Sequence, residues 1–197
     1  RKAIYGVGGG ITWDSTWKSE YIETQQKSAV LYRKNPRFYL ISTGKVTDGQ
    51  LTLQDQHLQR LTEAASYFAY PFDQDKLEQE LEETCAQLDK GQDYRLRIAL
   101  KKGGGIGLET TPLLPLTETF RKAKLVEQTA NLAHPFTYFK TSYRPHLTLE
   151  QQEQIYYDAH GQLLESSIGN LVLQLDGHLY TPPVELGLLD GIYRQHL

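Results

Sequence analysis

Apolar and polar positions change their period several times along the chain, and each change predicts a different element. In "FYLISTGKVTDGQLTL" two apolar runs flank the pair Asp48-Gly49, the strongest short signal for a β-hairpin. Apolar residues then recur at helical spacing in two stretches, which predicts two amphipathic helices separated near Pro71. Their apolar positions are Leu58, Leu61, Ala65 and Phe68, followed by Leu77, Leu81, Cys85 and Leu88.

Strict alternation returns in "DYRLRIALKKGGGIGLETTPL", which predicts a second hairpin with its turn at residues 103–105. Its apolar positions are Tyr94, Leu96, Ile98 and Leu100. Past Pro115 the pattern predicts mostly sheet, with turns at residues 158–161 and at Asp176-Gly177. The predicted fold class is α+β: a small domain of hairpins with two helices, followed by a larger, mainly β domain.

The chain begins differently, with "YGVGGGITWDSTWKSEYIETQQK". Glycines followed by polar residues predict a turn and then an amphipathic helix, whose apolar points are Tyr21, Ala29 and Leu31. The "NPRF" after it predicts a boundary, because proline restricts the preceding residue and ends helices. We therefore place domain boundaries so that the chain divides into residues 1–34, 35–118 and 119–197.

Composition narrows the classes of function. With 23% charged residues and a formal net charge of −3, the 197-residue chain offers no broad basic face for nucleic acid and no polybasic run for a membrane surface. No apolar run is long enough to span a membrane. Cys85 is the single cysteine, which excludes an internal disulfide and favours a reducing compartment, the cytosol. Small molecules or other proteins are the expected partners.

Four features could carry chemistry, and each has an ordinary alternative. Arg60 in "HLQRL" could be a solvated helix residue, and Lys140 in "YFKTSYRP" a surface or cation–π residue. Glu165 in "LLESSIGN" could be a turn residue, and "GIYR" at residues 191–194 a simple helix start. A lysine that forms a Schiff base needs a lowered pKa, which burial or nearby positive charge would supply. A phosphate would want the forked donors of arginine and the backbone amides at a helix start.

Taken in order, these features resemble the fold-type IV, or class IV, pyridoxal-phosphate enzymes, which include branched-chain and D-amino-acid aminotransferases and aminodeoxychorismate lyases. The resemblance covers Phe38 to the end and implies pyridoxal 5'-phosphate as cofactor. It implies that Lys140 bonds to the cofactor, that Arg60 binds its phosphate and that Glu165 pairs with its ring nitrogen. Asn170 would close the glutamate motif, and Gly191, Ile192 and Tyr193 would give backbone N–H groups to the phosphate.

The sequence also departs from the family pattern. Ser42 and Lys45 stand where the family often has a glutamate and an arginine on the first strand. Lys45 and Lys102 are the candidates to meet a substrate carboxylate, each as a single charge without the arginine fork. The family usually continues past "GIYRQHL", so the resemblance implies a C-terminally truncated unit.

The N-terminal run resembles the carboxy-terminal signature of chorismate-binding enzymes, the anthranilate and aminodeoxychorismate synthases. In that family the glycine loop, here residues 8–10, meets a carboxylate of chorismate. The helix glutamates hold Mg²⁺, which maps onto Glu20 and Glu23, with Lys27 beside them. These glutamates lie three residues apart and share one helical face, as a metal pair requires. We expect Mg²⁺ binding only in an intact chorismate-binding domain.

A chorismate-binding tail that runs into a class IV unit resembles the fused para-aminobenzoate synthase. The resemblance implies a 4-amino-4-deoxychorismate lyase that releases 4-aminobenzoate and pyruvate in folate biosynthesis. It also implies a cytoplasmic homodimer, and a glutamine amidotransferase as partner of the full-length synthase. Two alternatives stay open. One is a class IV aminotransferase for branched-chain or D-amino acids, and the other is a non-catalytic appendage of the synthase.

Overall fold

The computed structural model describes residues 4–32, 36–115, 120, 122–129, 135–148, 150 and 152–197. It divides the chain into two compact units, Arg1–Arg37 and Phe38–Leu197. The boundaries predicted from sequence, after residues 34 and 118, both lie outside the described residues. No helix within the described ranges is long and apolar enough to cross a membrane.

The first unit contains one helix, α1, at Trp17–Tyr32. The helix is where the sequence predicts it, but the prediction of an amphipathic face is wrong, because none of its residues is buried. Tyr21 is 61% exposed and Leu31 53% exposed. The apolar points are too few and too widely spaced along α1 to form a continuous stripe.

The second unit begins with a four-stranded antiparallel sheet and two helices. The strands are β1 at Leu40–Thr47, β2 at Gln50–Leu51, β3 at Tyr94–Leu100 and β4 at Ile106–Pro112, in the order β2-β1-β3-β4. The helices α2, Gln54–Phe68, and α3, Gln74–Ala86, lie between β2 and β3 in sequence. Asp48 and Gly49 both have positive φ, 50° and 77°, which is the two-residue turn that suits a hairpin twist.

One face of this sheet builds the hydrophobic core together with the two helices. The alternation predicted for β3 is confirmed, since Tyr94, Leu96, Ile98 and Leu100 are all buried. These residues cluster with apolar positions of β1, α2 and α3: Leu40, Val46, Leu58, Leu61, Leu77 and Leu81. Asp73 fixes the start of α3, because its Oδ1 accepts a hydrogen bond of 3.0 Å from the backbone N–H of Lys76. The opposite face of β1 and β3 remains free to line a site.

In the described remainder of the unit, most of the regular structure is strand, as predicted, although more residues lie in turns and loops. Strands β5, Ala123–Glu127, β6, Glu153–Tyr157, and β7, Leu163–Ser166, form a three-stranded sheet in which β5 and β6 are parallel. Strands β8, Leu173–Leu175, and β9, His178–Tyr180, form a hairpin. The short helix α4 spans Pro135–Tyr138, a 3₁₀ turn spans Val184–Leu186, and α5 spans Ile192–His196. This mixed architecture confirms the predicted fold class.

Candidate active site

A cleft of about 580 Å³ opens within the second unit. It brings together side chains from β1, α2, the segment after α4, β7 and the start of α5. Residues nominated from sequence that line it are Lys45, Arg60, Lys140, Glu165, Asn170, Gly191, Ile192 and Tyr193. Residues that are 130 positions apart, such as Arg60 and Asp190, thus meet at one place.

Lys140 lies two residues after the end of α4, and its backbone is hydrogen-bonded to β1. The backbone N–H of Ile41 donates to the Lys140 carbonyl at 2.9 Å, and that of Ser142 donates to the Tyr39 carbonyl at 2.9 Å. The next residue, Thr141, is fully buried and forms a β-bridge with Leu40. Backbone pairing on both sides, with a hydrogen bond of 2.9 Å from the Tyr39 backbone N–H to Ser142 Oγ, therefore holds Lys140 in the cleft.

Arg60 lies on α2 and reaches the start of α5. Its Nη2 donates to the Asp190 carbonyl at 2.6 Å. Burial lowers the pKa of the guanidinium, partly offset by the nearby charges of Asp190 and Glu63. Since arginine remains charged in proteins, the cleft keeps a fixed positive charge next to the backbone of residues 190–192.

Glu165 is a buried carboxylate with two basic neighbours. Arg144 Nη2 lies 3.9 Å from its Oε2, and His146 Nε2 lies 3.9 Å from its Oε1. Its place on β7 comes from pairing of β7 with β6 and from a β-bridge between Glu165 and Asn170. The guanidinium of Arg144 at this distance favours the ionised form of the buried carboxylate.

The pKa of Lys140 is lowered to about 8. Burial is the largest cause, and the positive charges of Arg144, Arg60 and Arg97 act in the same direction. Glu165 acts in the opposite direction and raises the pKa. An amine in this state is partly neutral near neutral pH and can act as a nucleophile or base, unlike an ordinary surface lysine.

The pKa of Glu165 is raised to about 7, chiefly by burial. Arg144, a hydrogen bond from the Leu189 backbone N–H and the charge of Lys140 all lower it again. Glu165 and Lys140 therefore influence each other in the expected way, since each charge favours the ionised form of the other.

A buried histidine, His57, also lines this cleft. It was not predicted from sequence. His57 Nδ1 and the Ser42 hydroxyl are 2.7 Å apart, and both side chains are buried. Burial, with Arg60 and Lys140, lowers the pKa of His57 to about 4, so that it is neutral at ordinary pH. Gly44 lies against it: a Cβ at Gly44 would be 2.5 Å from His57 Nε2.

Asn170 and Gly191 form a fitted pair at the start of α5. The Asn170 Nδ2 donates to the Leu189 carbonyl at 2.7 Å. A Cβ at Gly191 would lie 1.8 Å from Asn170 Oδ1, so a larger residue there would displace the Asn170 side chain or the segment itself. The geometry gives Asn170 the task of holding the segment before α5 in place.

Two basic residues of β3, Arg95 and Arg97, were not predicted from sequence and lie on the same face of the sheet as Lys45. Thr43 pairs with Arg97 and Lys45 with Arg95 across the two strands, on the face opposite the core. Arg95 and Lys45 line the cleft, and Lys45 Nζ forms an ion pair with Asp93 Oδ2 at 2.6 Å. The alternation of β3 that buries Leu96 also directs Arg95 and Arg97 to this face, so the pattern could have identified them.

Two other nominations lie elsewhere. Lys102 is exposed in the turn between β3 and β4 and does not line the cleft. Glu20 and Glu23 belong to the first unit, where both carboxylates lie beside Gly9 and Glu23 pairs with Lys27 at 2.5 Å. Among the residues that the structure describes, no group of three or more His, Cys, Asp or Glu could hold a metal ion. The Mg²⁺ role of Glu20 and Glu23 stays a prediction for an intact domain.

The fold and the cleft define a class of protein. A lysine of lowered pKa, a buried carboxylate and fixed arginines around one cleft form a site for covalent amine chemistry on an anionic compound. The matching family model covers residues 40–197 and is described as amino-transferase class IV. The chain belongs to this family, whose members use pyridoxal phosphate.

Solved structures of the same fold carry different assigned activities. An amino-acid aminotransferase from Mesorhizobium loti, provisionally assigned, is 25% identical with a TM-score of 0.69, over 81% of this chain and 82% of that one. A provisionally assigned 4-amino-4-deoxychorismate lyase from Haemophilus somnus is 24% identical with a TM-score of 0.64, over 83% and 84%. A hypothetical aminotransferase from Mycobacterium tuberculosis, with α-ketoglutarate and PMP bound, is 21% identical with a TM-score of 0.65, over 80% and 65%.

These neighbours share the fold but do not decide between lyase and aminotransferase. The chain spans less than two thirds of the mycobacterial protein. No curated protein matches the chain in sequence. The choice of activity therefore depends on the site and on the N-terminal resemblance.

The residues of the cleft fit pyridoxal phosphate by the chemistry of their donors. Lys140 offers an amine for the aldehyde, Glu165 a carboxylate for the ring nitrogen, and Arg60 with the backbone at residues 191–193 offers donors for the phosphate. His57 adds a neutral ring beneath the cleft and no competing charge.

Proposed function

We propose that Phe38–Leu197 is the 4-amino-4-deoxychorismate lyase unit of a fused para-aminobenzoate synthase, with pyridoxal phosphate as its cofactor. The observation that carries the proposal is the position of Lys140, held by backbone pairing in a cleft with Arg60, Glu165 and Arg144. The N-terminal resemblance to chorismate-binding synthases supports lyase over aminotransferase. Dimerisation and a glutamine amidotransferase partner belong to the same proposal.

The residues of the cleft match the demands of this reaction. The substrate carries two carboxylates, and Lys45 and Arg95, which line the cleft, supply cations to orient them. Bound pyridoxal phosphate withdraws electrons from the substrate carbon that bears the amine, which makes its proton acidic. Glu165 keeps the ring nitrogen protonated, and Arg60 anchors the phosphate.

Lys140 moves the proton. As a neutral amine it accepts the proton from C4 of the substrate ring, and it then returns this proton to the departing enolpyruvyl group. The C–O bond to the ring breaks, the ring becomes aromatic, and 4-aminobenzoate and pyruvate leave in equal amounts. No oxidant or second substrate is needed, because the atoms of the two products add up to those of the substrate.

The first test is direct. Supplied with pyridoxal phosphate and 4-amino-4-deoxychorismate, the chain should release 4-aminobenzoate and pyruvate in a one-to-one ratio without any keto acid. Borohydride reduction followed by peptide mapping should place the cofactor on Lys140. Lys140→Ala should lower the rate by at least about 10³-fold, because it removes both nucleophile and base, whereas Lys124→Ala, at an exposed position on β5, should change it little.

An aminotransferase is the second candidate, favoured by the assigned activity of the Mesorhizobium neighbour. Amine transfer that depends on an added keto acid, without pyruvate release, would replace the lyase proposal. Full lyase activity in Lys140→Ala would contradict the proposed role of Lys140. Failure of the cofactor to bind at all would support the non-catalytic alternative.

A further inference from the structure

Arg144 is a charged residue of the cleft to which neither the family resemblance nor the reaction above gives a role. It lies four residues after Lys140, and its side chain is 23% exposed. Nη2 lies 3.9 Å from Glu165 Oε2, and Nη1 donates to the Ser167 carbonyl at 3.5 Å. The guanidinium of Arg144 therefore contacts both Glu165 and Ser167, two residues further along the chain.

The backbone around Arg144 is firmly placed. Thr141 Oγ1 donates to the Tyr143 carbonyl at 2.7 Å, and the Leu147 backbone N–H donates to the Arg144 carbonyl at 3.1 Å. Tyr143 packs edge-on against Phe136, with ring centroids 5.0 Å apart. The backbone that carries Arg144 is therefore held by hydrogen bonds, and its guanidinium contacts Glu165 and Ser167.

We propose that Arg144 is a positioning residue for the reaction: its guanidinium orients the Glu165 carboxylate and supplies positive charge that favours the neutral form of the Lys140 amine. This inference rests on the proposed function, but its test measures the pKa of Lys140 and needs no lyase activity. One cation next to both groups favours an ionised Glu165 and a neutral Lys140, which are the two states that the chemistry requires.

Other groups face the same pair and must be considered. The like charges of Arg60 and Arg97 also lower the pKa of Lys140, and the opposite charge of Glu165 raises it. Glu165 has His146 as its other basic neighbour, and a backbone N–H from Leu189. Among the charges that act on Lys140, Arg144 has the largest effect, and it is also the charge with the largest effect on Glu165.

The test measures Lys140 in the cofactor-free chain. The protein is labelled briefly with trace acetic anhydride across a range of pH, and the rate at Lys140 is read by peptide mass spectrometry, with exposed Lys124 as internal reference. The wild-type midpoint should lie near the lowered pKa of about 8. In Arg144→Gln it should rise by about one pH unit or more, and labelling near neutral pH should fall about tenfold.

Three further variants separate charge from collapse. Arg144→Lys keeps the positive charge, so the Lys140 midpoint should change little. It loses the two guanidinium nitrogens that contact Glu165 and Ser167, so Glu165 should be oriented less well and pyridoxal phosphate should bind more weakly. Glu165→Gln should move the midpoint the opposite way, downward, since Glu165 raises the pKa of Lys140. Arg95→Gln removes an exposed arginine of the same cleft, which does not act on Lys140, and should leave the midpoint unchanged.

The outcomes are distinct. A rise in Arg144→Gln together with a fall in Glu165→Gln supports the inference, because unfolding would move both midpoints up toward that of an exposed lysine. An unchanged midpoint in folded Arg144→Gln overturns it. Should that variant not fold, Arg144→Lys decides, and a raised midpoint or unweakened binding of pyridoxal phosphate in it overturns the inference. Absence of lyase activity alone contradicts the proposed function and leaves these midpoints as they are.

Discussion

At the scale of single residues, the cleft contains two buried ionisable groups whose pKa values burial shifts. The pKa of Glu165 is raised to about 7 and that of Lys140 is lowered to about 8. In the unfolded chain both would titrate near their ordinary values, 4.5 and 10.5. The difference makes the free energy of unfolding depend on pH in two separate windows.

We expect the Glu165 window between pH 4.5 and 7 and the Lys140 window between pH 8 and 10.5. In the first window the folded chain holds the Glu165 proton longer than the unfolded chain, so stability falls as pH rises. In the second window the folded Lys140 has lost its proton while the unfolded lysine keeps it, so stability rises with pH. Each contribution is on the order of 1–3 kcal/mol.

Urea unfolding of cofactor-free protein at pH 5, 7.5 and 10 checks this, with circular dichroism as the signal because both tryptophans lie in the first unit. Relative to wild type, Glu165→Gln should gain stability between pH 5 and 7.5, and Lys140→Met should lose its advantage between pH 7.5 and 10. His57, whose pKa is lowered to about 4, adds a rise between pH 4 and 6.5 that all three proteins share. Parallel profiles for the three proteins would contradict the prediction.

How far the site could be predicted follows from where each residue lies in the chain. Lys140, Arg60 and Glu165 sit within short motifs, so a linear pattern could nominate them. Arg144 gains its role only when the segment after α4 packs against β7. Lys102 follows the apolar run of β3 and looks equivalent to Arg97 in sequence, but the turn at residues 103–105 begins there and leaves it exposed.

At the scale of elements, period was a good guide wherever one face is buried. The alternation of β3 and the helical spacing of α2 and α3 predicted both their type and their buried residues, because the core lies on one face of the sheet. The same reasoning was wrong for α1, where the helix forms but no residue is buried. Helical propensity and capping decide an exposed helix, and neither requires an apolar stripe.

The start of α5 depends on the absence of a Cβ atom at Gly191. Because a Cβ at Gly191 would lie 1.8 Å from Asn170 Oδ1, Gly191→Ala should push the segment before α5 away from Arg60. We expect pyridoxal phosphate affinity to fall at least about tenfold, equivalent to about 1.4 kcal/mol. Titration of the cofactor absorbance measures this.

A second variant identifies the clash as the cause. Asn170→Ala removes Oδ1 and the hydrogen bond to the Leu189 carbonyl, so by itself it should weaken binding moderately. The double variant Gly191→Ala, Asn170→Ala should bind better than Gly191→Ala alone, since the two positions contact each other and their effects do not add. Additive losses would show that the added methyl group at position 191 acts through something other than its contact with Asn170, since the φ of −68° at Gly191 suits any residue.

At the scale of the whole molecule, apolar burial is unevenly shared between the two units. The hydrophobic cluster belongs entirely to Phe38–Leu197. In Arg1–Arg37, Trp13 is 102% exposed and Trp17 82% exposed, and α1 has no buried residue. Helices shorter than about 12–15 residues are marginal in water even when rich in alanine. Since α1 has only 16 residues and is not rich in alanine, the first unit has little of its own to stabilise it.

We therefore expect the chain shortened to residues 38–197 to keep the fold and the site. Its circular dichroism should retain the cooperative urea transition, its Lys140 should keep the labelling midpoint of the full chain, and pyridoxal phosphate should bind with similar affinity. The excised segment 1–37 should show little helix in water. A chain shortened further, to residues 52–197, is the matched control: it lacks β1, which pairs with β3 and holds Lys140 through Ile41, and it should lose all three properties. Loss of cofactor binding in residues 38–197 with an intact urea transition would show that the first unit contributes directly to the site, because the core would then be present and only the cleft affected.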